Sequence, residues 1–224
     1  MLHVSVAIAL LALLWCADAV AAALPEALAA PPCVACKVDG DEARRAYSTD
    51  DWTALTAGRV VVSDVPDESA EGSRQGSIAA AGIIPHPPAR VWATLVDFEA
   101  HPKFQHDAKE VRIDRVDGNR AWIAQRLRFF LVDVRFTVIN TLDPVAGTIR
   151  WLLDESVEHD IGGTTGSWQL TPVADGRQTL LRYHAWIDTG RAVPAFIERF
   201  LLQRSLPNVI GSIRDEVERR SRER

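Results

Sequence analysis

The feature that most constrains this fold is a series of short segments between residues 110 and 188 in which apolar and polar residues alternate. Alternation with a period of two is typical of strands that bury one face. Turn sequences such as Asp117-Gly118-Asn119 and Ala174-Asp175-Gly176 separate the segments and predict an antiparallel meander. The predicted inward face includes Val111, Ile123, Val134, Trp151, Leu170 and Leu181.

Helical patterns flank these strands. A strand-like run at 77–84 precedes Pro88, which suits the first turn of a helix whose apolar stripe includes Val91 and Trp92. A second helical turn is predicted near 99–104. The chain then closes with a long helix over 193–222, for which we expect a kink at Pro207.

These elements together predict an α+β protein. A curved antiparallel sheet of about six to seven strands must bury one face, and the C-terminal helix carries the long apolar stripe that suits this role. A two-helix insertion follows the first strand of the core. A helix laid across a curved sheet leaves space between them, so a cavity is expected there.

Composition narrows the function classes. The chain has 224 residues, of which 47% are hydrophobic, and it carries 30 acidic against 25 basic residues for a net charge of −5. The length supports one substantial globular core. A mildly acidic chain lacks the basic balance of typical nucleic-acid binders, so no nucleic-acid partner is expected.

The first 23 residues are predicted to be a signal peptide. A largely apolar run from Val4 to Trp15 is too short for a typical membrane span, and small residues at Ala21 and Ala23 suit a signal peptidase. Export to a periplasmic or extracellular location is the expectation. An uncleaved N-terminal anchor is the alternative.

Residues 24–50 are interpreted as a Pro/Ala-rich linker that holds Cys33 and Cys36 in a CxxC arrangement. In an exported protein this pair can form a local disulfide or remain as unused thiols. Metal or haem attachment and redox catalysis are further alternatives. The pair lacks the preceding strand that a redox motif uses, and Lys37 replaces the histidine of a c-type haem signature.

One stretch carries a family resemblance. The sequence IPHPPARVWATLVDFE at 84–99, followed by His101, Pro102 and Phe104, resembles the opening of START-like helix-grip proteins, most closely the polyketide cyclase/dehydratase and coenzyme Q-binding families. The GSWQL strand at 166–170 follows in the expected order. The resemblance implies a START-like domain over 51–224 with its core at 74–220.

The predicted inward faces give candidate ligand-contacting residues. Most are apolar, and Gln125, Asn140 and Tyr183 are the polar exceptions. A lining of this kind suits an apolar ligand whose polar group is held at a few points, although structural hydrogen bonds are the alternative role for these three side chains. The predicted lining is Phe98, Phe104, Gln125, Phe129, Asn140, Trp151, Trp168, Tyr183, Phe196 and Phe200.

The function expected first is binding of a lipid, quinone or polyketide-like compound, with transient membrane contact. A cyclase/dehydratase-type enzyme is the alternative and would use Gln125, Asn140, Tyr183 or His159 to polarise a carbonyl. No cofactor and no metal site are expected, since His101 and His106 have no third ligand nearby in the sequence.

A third hypothesis is that the protein is an interaction module of the cell envelope, which binds a partner protein through the outward face of the sheet. Trp122 and Trp186 share the outward parity with several arginines. We expect the segment 52–65, or a partner, to cover these two rings.

Overall fold

The computed structural model describes residues 22–29, 40–65, 75–129, 131–188 and 206–223. Eight antiparallel strands form one sheet in the order β1-β2-β8-β7-β6-β5-β4-β3. The strands are β1 Val61–Val65, β2 Gln75–Ile84, β3 Ala108–Asp117, β4 Arg120–Phe129, β5 Val132–Asp143, β6 Thr148–Leu153, β7 Gly163–Val173 and β8 Gln178–Asp188. The predicted α+β architecture is confirmed. The sheet has eight strands rather than six to seven because β1 extends it beyond the core.

Five α-helices and one 3₁₀ helix complete the described chain. They are α1 Glu26–Ala29, α2 Gly40–Arg45, α3 Thr49–Thr56, α4 Pro88–Leu95, the 3₁₀ helix Phe98–Lys103 and α5 Leu206–Arg222. The α4 helix begins at Pro88 because a proline at the first position loses no helical hydrogen bond. No described helix combines the length and the apolar character that a membrane crossing requires.

The main core lies between one face of the sheet, the inner face, and helices α4 and α5. Trp92 of α4 and Ile213 of α5 are both fully buried in it. Close approach of α5 to the sheet depends on Gly82, since a Cβ there would lie 2.7 Å from Cγ2 of Ile210. The predicted apolar stripe of the C-terminal helix is confirmed for Ile210, Ile213 and Val217.

Ion pairs fix the C-terminal half of α5 to the region of α4. Arg220 donates to Asp97 at 2.9 Å, and Glu218 lies 2.7 Å from Nε2 of His86. Glu216 accepts hydrogen bonds at 2.7 Å from both Arg219 and Arg220. The predicted N-terminal half of this helix, including Phe196 and Phe200, lies outside the described residues.

Part of the range interpreted as a linker contacts the core. Leu28 of α1 is buried, and Nε1 of Trp92 donates a hydrogen bond to its carbonyl oxygen at 3.0 Å. The α1 backbone therefore pairs the one polar atom of the largest fully buried side chain. Cys33 and Cys36 lie outside the described residues, so the disulfide stays a prediction.

The opposite, outer face of the sheet is covered locally. Leu55 of α3 packs with Ile83 and Leu180 in a second, smaller core. Trp122 lies in β4, five strands away from β2, and it is covered instead by the guanidinium of Arg115, 3.5 Å from the ring centroid. The segment that begins at Trp52 therefore reaches the outer face, but Trp122 is shielded by a neighbour in the sheet.

Candidate ligand-binding site

Burial changes abruptly along the inner face of four strands. Leu181, Leu170, Ile149 and Ile123 are at most 2% exposed. The next inner-face residue in one common direction, two positions further along each strand, is only half-buried. These residues are Tyr183, Trp168, Trp151 and Gln125. Solvent therefore reaches these four positions, although the inner face of β5, between β4 and β6, stays buried at Val134, Phe136 and Val138. We call the surroundings of the four half-buried residues the open end.

Three aromatic rings form a row across β6, β7 and β8 at this line. Trp168 and Tyr183 have centroids 4.4 Å apart, and Trp151 stacks on Tyr183 at 5.6 Å with an interplanar angle of 28°. Gly166 makes this possible, because a Cβ there would overlap the Trp151 ring. The row presents broad aromatic surface to the interior, which suits contact with an apolar or planar molecule.

Polar atoms border the aromatic row. Asn140 pairs with Trp151 across the ladder and is 5% exposed. Among the described residues, no side chain or backbone group forms a hydrogen bond with the side chains of Asn140, Gln125 or Tyr183. The described residues therefore leave hydrogen-bonding capacity unused on these three side chains.

The phenol of Tyr183 has a defined protonation state. Burial raises its pKa above the ordinary value, because a phenolate would lose its hydration between Trp151 and Trp168. The hydroxyl therefore stays protonated at neutral pH and can donate a hydrogen bond.

Phe98 and Phe104 occupy the 3₁₀ helix and its end. Phe98 is buried, while Phe104 is half-buried and lines an open groove of about 590 Å³ together with α5 residues including Ser212 and Glu216. His101 lies between the two phenyl rings, with centroid distances of 5.7 and 5.4 Å. The structure thus places Phe104 at a surface opening and Phe98 in the packed core.

Three histidines were considered in the sequence, and two of them, His101 and His159, contact backbone carbonyl oxygens. Burial lowers the pKa of His101 to about 4, and its Nε2 donates to the carbonyl of Leu95 at 3.0 Å. His159 donates from Nδ1 to the carbonyl of Ile161 at 2.7 Å, within the β6–β7 loop. His106 is almost fully exposed. Among the residues described, no group of three or more histidine, cysteine or acidic side chains is placed to hold a metal.

The remaining predicted lining residue in the described part of the chain is Phe129. Phe129 is buried at the end of β4, beside the half-buried Leu127 and Val132. Leu127, Val132 and Val209 of α5 were not predicted as lining residues, although all three are partly buried against the core. Strand parity marks Leu127 and Val132 as inward, but the sequence does not show where along a strand the packing stops.

Comparisons with known proteins agree with this architecture. The family described as polyketide cyclase/dehydrase and lipid transport matches residues 84–214. The Zhui aromatase/cyclase from Streptomyces sp. R1128 superposes with a TM-score of 0.57 at 17% identity, over 66% of this chain and 96% of that one. No curated protein matches the chain in sequence.

Two solved structures with lipid-transfer names share the fold as well. A STAR-related lipid transfer protein from Xanthomonas axonopodis has a TM-score of 0.56 at 15% identity, over 70% of this chain and 98% of that one. Human STARD10 has a TM-score of 0.58 at 13% identity, over 70% of this chain and 69% of that one. At these identities the likeness establishes the fold.

Proposed function

Because the chain belongs to the polyketide cyclase/dehydrase and lipid transport family, we propose that it binds a hydrophobic small molecule at the open end of its inner face. The START-like resemblance noted in the sequence is confirmed by the same match and by the helix-grip neighbours. The observation that carries the proposal is the half-buried aromatic row bordered by polar side chains without partners.

The physical basis of binding is enclosure. Removing apolar ligand surface from water contributes about 25 cal/mol per Å². The aromatic row and the half-buried Leu127 and Val132 offer the apolar contacts. Asn140, Gln125 and Tyr183 then fix one polar group of the ligand, since each would otherwise stay unpaired on partial burial.

The class of ligand is proposed as a lipid, a quinone or a polyketide-like compound. The names of the fold neighbours include both an aromatase/cyclase and a lipid transfer protein, so the fold accommodates either type. Carbonyl and hydroxyl groups are common to these ligand classes, and both pair with a carboxamide or a protonated phenol.

An enzyme of the cyclase/dehydratase type is the second candidate, and the state of Tyr183 favours it. A protonated phenol at the edge of an aromatic surface can donate a hydrogen bond to a carbonyl as negative charge develops on oxygen. Tyr183→Phe separates the two candidates. A binder loses only the affinity that one hydrogen bond provides, whereas an enzyme loses turnover by a much larger factor than its substrate affinity.

Export is part of the proposal. The apolar run at 4–15 and the small residues before Leu24 support a cleaved signal peptide. Cleavage after residue 23 leaves Leu28 in the mature chain. N-terminal sequencing of the protein from the envelope fraction of its host tests this, and an intact Met1 would favour the anchor.

Native mass spectrometry of the protein purified from its own host tests ligand binding. We expect a discrete adduct that can be extracted into organic solvent. In Leu127→Gln a polar amide faces the ligand, so the occupied fraction should fall about tenfold or more. The matched control is Leu152→Gln. Leu152 lies in β6 and is 52% exposed on the outer face of the sheet. Equal occupancy in both variants would contradict the site.

A further inference from the structure

Four polar side chains form one hydrogen-bonded series where α5 meets the loop between β2 and α4. Nε2 of His86 lies 2.7 Å from Oε2 of Glu218, and Nδ1 of His86 lies 3.4 Å from Oγ of Ser221. The guanidinium of Arg90 donates to the same Oγ. Glu218 and Ser221 are three residues apart in α5, so they lie on one face of the helix. A carboxylate, an imidazole and a hydroxyl therefore stand in line.

The proton positions in this series follow from its two ends. A carboxylate only accepts hydrogen bonds, so Nε2 of His86 carries the proton that Glu218 accepts. Nδ1 of the neutral ring is then an acceptor, and the atom that faces it is Oγ of Ser221. A guanidinium only donates, so Arg90 occupies a lone pair of that Oγ and not its proton. The hydroxyl proton of Ser221 is thus directed at an unprotonated ring nitrogen.

The ring of His86 is fixed by its surroundings. The residue precedes Pro87, which restricts its backbone to extended conformations. Its carbonyl oxygen accepts a hydrogen bond from Oγ1 of Thr179 at 2.7 Å, and its side chain is only 15% exposed. A base that is already oriented loses little freedom when it takes up a proton, which favours general-base catalysis.

Glu218 completes the arrangement from α5. Nε and a terminal nitrogen of Arg222 donate to its Oε1 at 3.1 Å each, which leaves Oε2 for His86. The hydrogen bonds from His86 and Arg222 lower the pKa of Glu218, so the carboxyl is ionised at neutral pH. An ionised carboxylate on one ring nitrogen stabilises the imidazolium that forms when the other nitrogen takes up a proton.

We propose that Ser221 is the nucleophile of a site that hydrolyses carboxylic esters, with His86 as its general base and Glu218 as the residue that positions the base. The site uses no residue of the aromatic row, so it adds to the proposed function and does not rest on it. Ser221 is half-buried and Arg90 is exposed, so the substrate approaches from solvent. Esters suit this site better than amides, because an alkoxide leaves more readily than an amide nitrogen does.

The reaction needs only these side chains and water. Oγ of Ser221 bonds to the carbonyl carbon of the ester while its proton passes to Nδ1 of His86. Negative charge forms on the carbonyl oxygen beside Arg90, whose several N–H groups can bind Oγ and this oxygen together. The bond to the alcohol oxygen then breaks, and His86 returns the proton to that oxygen. Water attacks the acyl-serine by the same transfers, which releases the carboxylic acid and restores Ser221.

A fluorophosphonate probe tests the nucleophile on the protein as it is purified after expression of the full chain. Oγ of an activated serine displaces fluoride from the phosphorus of the probe, and the base takes the proton. We expect the label on Ser221 in peptide mass mapping, together with hydrolysis of p-nitrophenyl acetate, and Ser221→Ala should abolish both. Ser77→Ala is the matched control. Ser77 faces Nε2 of His184 at 3.1 Å on the outer face, and its substitution should change neither result.

Glu218→Gln separates catalysis from a purely structural role. Arg222 only donates, so the amide oxygen of the glutamine faces Arg222 and the amide nitrogen faces His86. Nε2 must then accept, which moves the ring proton to Nδ1 and removes the acceptor for Ser221. The rates of labelling and hydrolysis should fall about a hundredfold or more. The thermal midpoint should change little, because a hydrogen bond to the ring remains.

Three results would overturn the ester site. The first is wild-type protein that takes up no label, and the second is a label on Ser77 or another serine in place of Ser221. The third is Glu218→Gln that is labelled as fast as wild type, which would show that the series of hydrogen bonds only fixes α5 to the loop. Ligand binding is measured separately by native mass spectrometry, so either proposal can fail without the other.

Discussion

Single residues on the inner face divide into those that stabilise the fold and those that are costly to bury. Ile123 and Leu181 are packed and apolar, whereas Asn140 is 5% exposed without a hydrogen-bonding partner among the described residues. The fully buried side-chain polar atoms without a partner in the described part of the chain are Oγ1 of Thr148 and Nε of Arg182, so the amide of Asn140 is not one of them. A partly dehydrated amide on an apolar face still stabilises the fold less than an apolar side chain of the same size does.

The first prediction concerns Asn140→Leu, which keeps the size of the side chain and removes the unpaired amide. The free energy of unfolding in urea should rise or stay equal, with a gain of up to about 1 kcal/mol. The occupied fraction in native mass spectrometry should fall for a ligand with a polar group. A loss of 2 kcal/mol or more in the unfolding experiment would instead identify Asn140 as a structural residue.

At the scale of elements, α5 is held at two places by different means. Near its start Ile210 packs against Gly82, and near its end Arg220 donates to Asp97. Glu216 of the same helix accepts hydrogen bonds from both Arg219 and Arg220. Hydrogen bonds from these two guanidinium groups lower the pKa of Glu216 to about 2. A carboxyl whose pKa is lower in the folded state adds stability above its unfolded pKa, and this stability is lost as the pH falls.

The second prediction follows from this carboxyl. Glu216→Gln should lower the free energy of unfolding at pH 7 by about 1–2 kcal/mol, because both arginines lose a charged partner. The difference between wild type and variant should shrink between about pH 4.5 and pH 2, where wild-type Glu216 takes up its proton. Glu223→Gln is the control, since Glu223 pairs with the same Arg219 but is 61% exposed. Equal losses in the two variants would contradict the role of Glu216.

For the whole molecule, much of the architecture was predictable. The strand series had a clear period of two, and Pro88, Gly118 and Gly176 marked the starts and reversals of elements. These signals are local, so they survive in the sequence. The boundary between the packed and open ends was not predictable, because it depends on where α4 and α5 lie over the sheet.

The N-terminal contact shows the same limit. Leu28 stands in a Pro/Ala-rich stretch that has no periodic pattern, yet its carbonyl oxygen pairs with Trp92. Only the tertiary structure shows this, because a backbone acceptor carries no sequence signal. The aromatic row was partly predictable, since Trp151, Trp168 and Tyr183 have inward parity, but their stacking depends on the bare backbone at Gly166.

The third prediction tests that contact at the scale of the whole chain. A protein that starts at Pro31 should be less stable than one that starts at Leu24, by about 1–3 kcal/mol, because the buried indole N–H of Trp92 loses its acceptor. Urea unfolding followed by tryptophan fluorescence measures the difference. Identical midpoints and slopes for the two chains would show that α1 contributes nothing to the fold.

If the proposed ligand binds beside the aromatic row, the lifetime of the protein depends on the supply of that ligand. A ligand that binds only the native state stabilises it by RT ln(1 + [L]/Kd), which is about 2.7 kcal/mol at a hundredfold excess over Kd. Proteases that attack transiently opened chains would then remove the empty form sooner than the filled one. The abundance of this protein would thereby follow the concentration of its ligand, without any dedicated regulator.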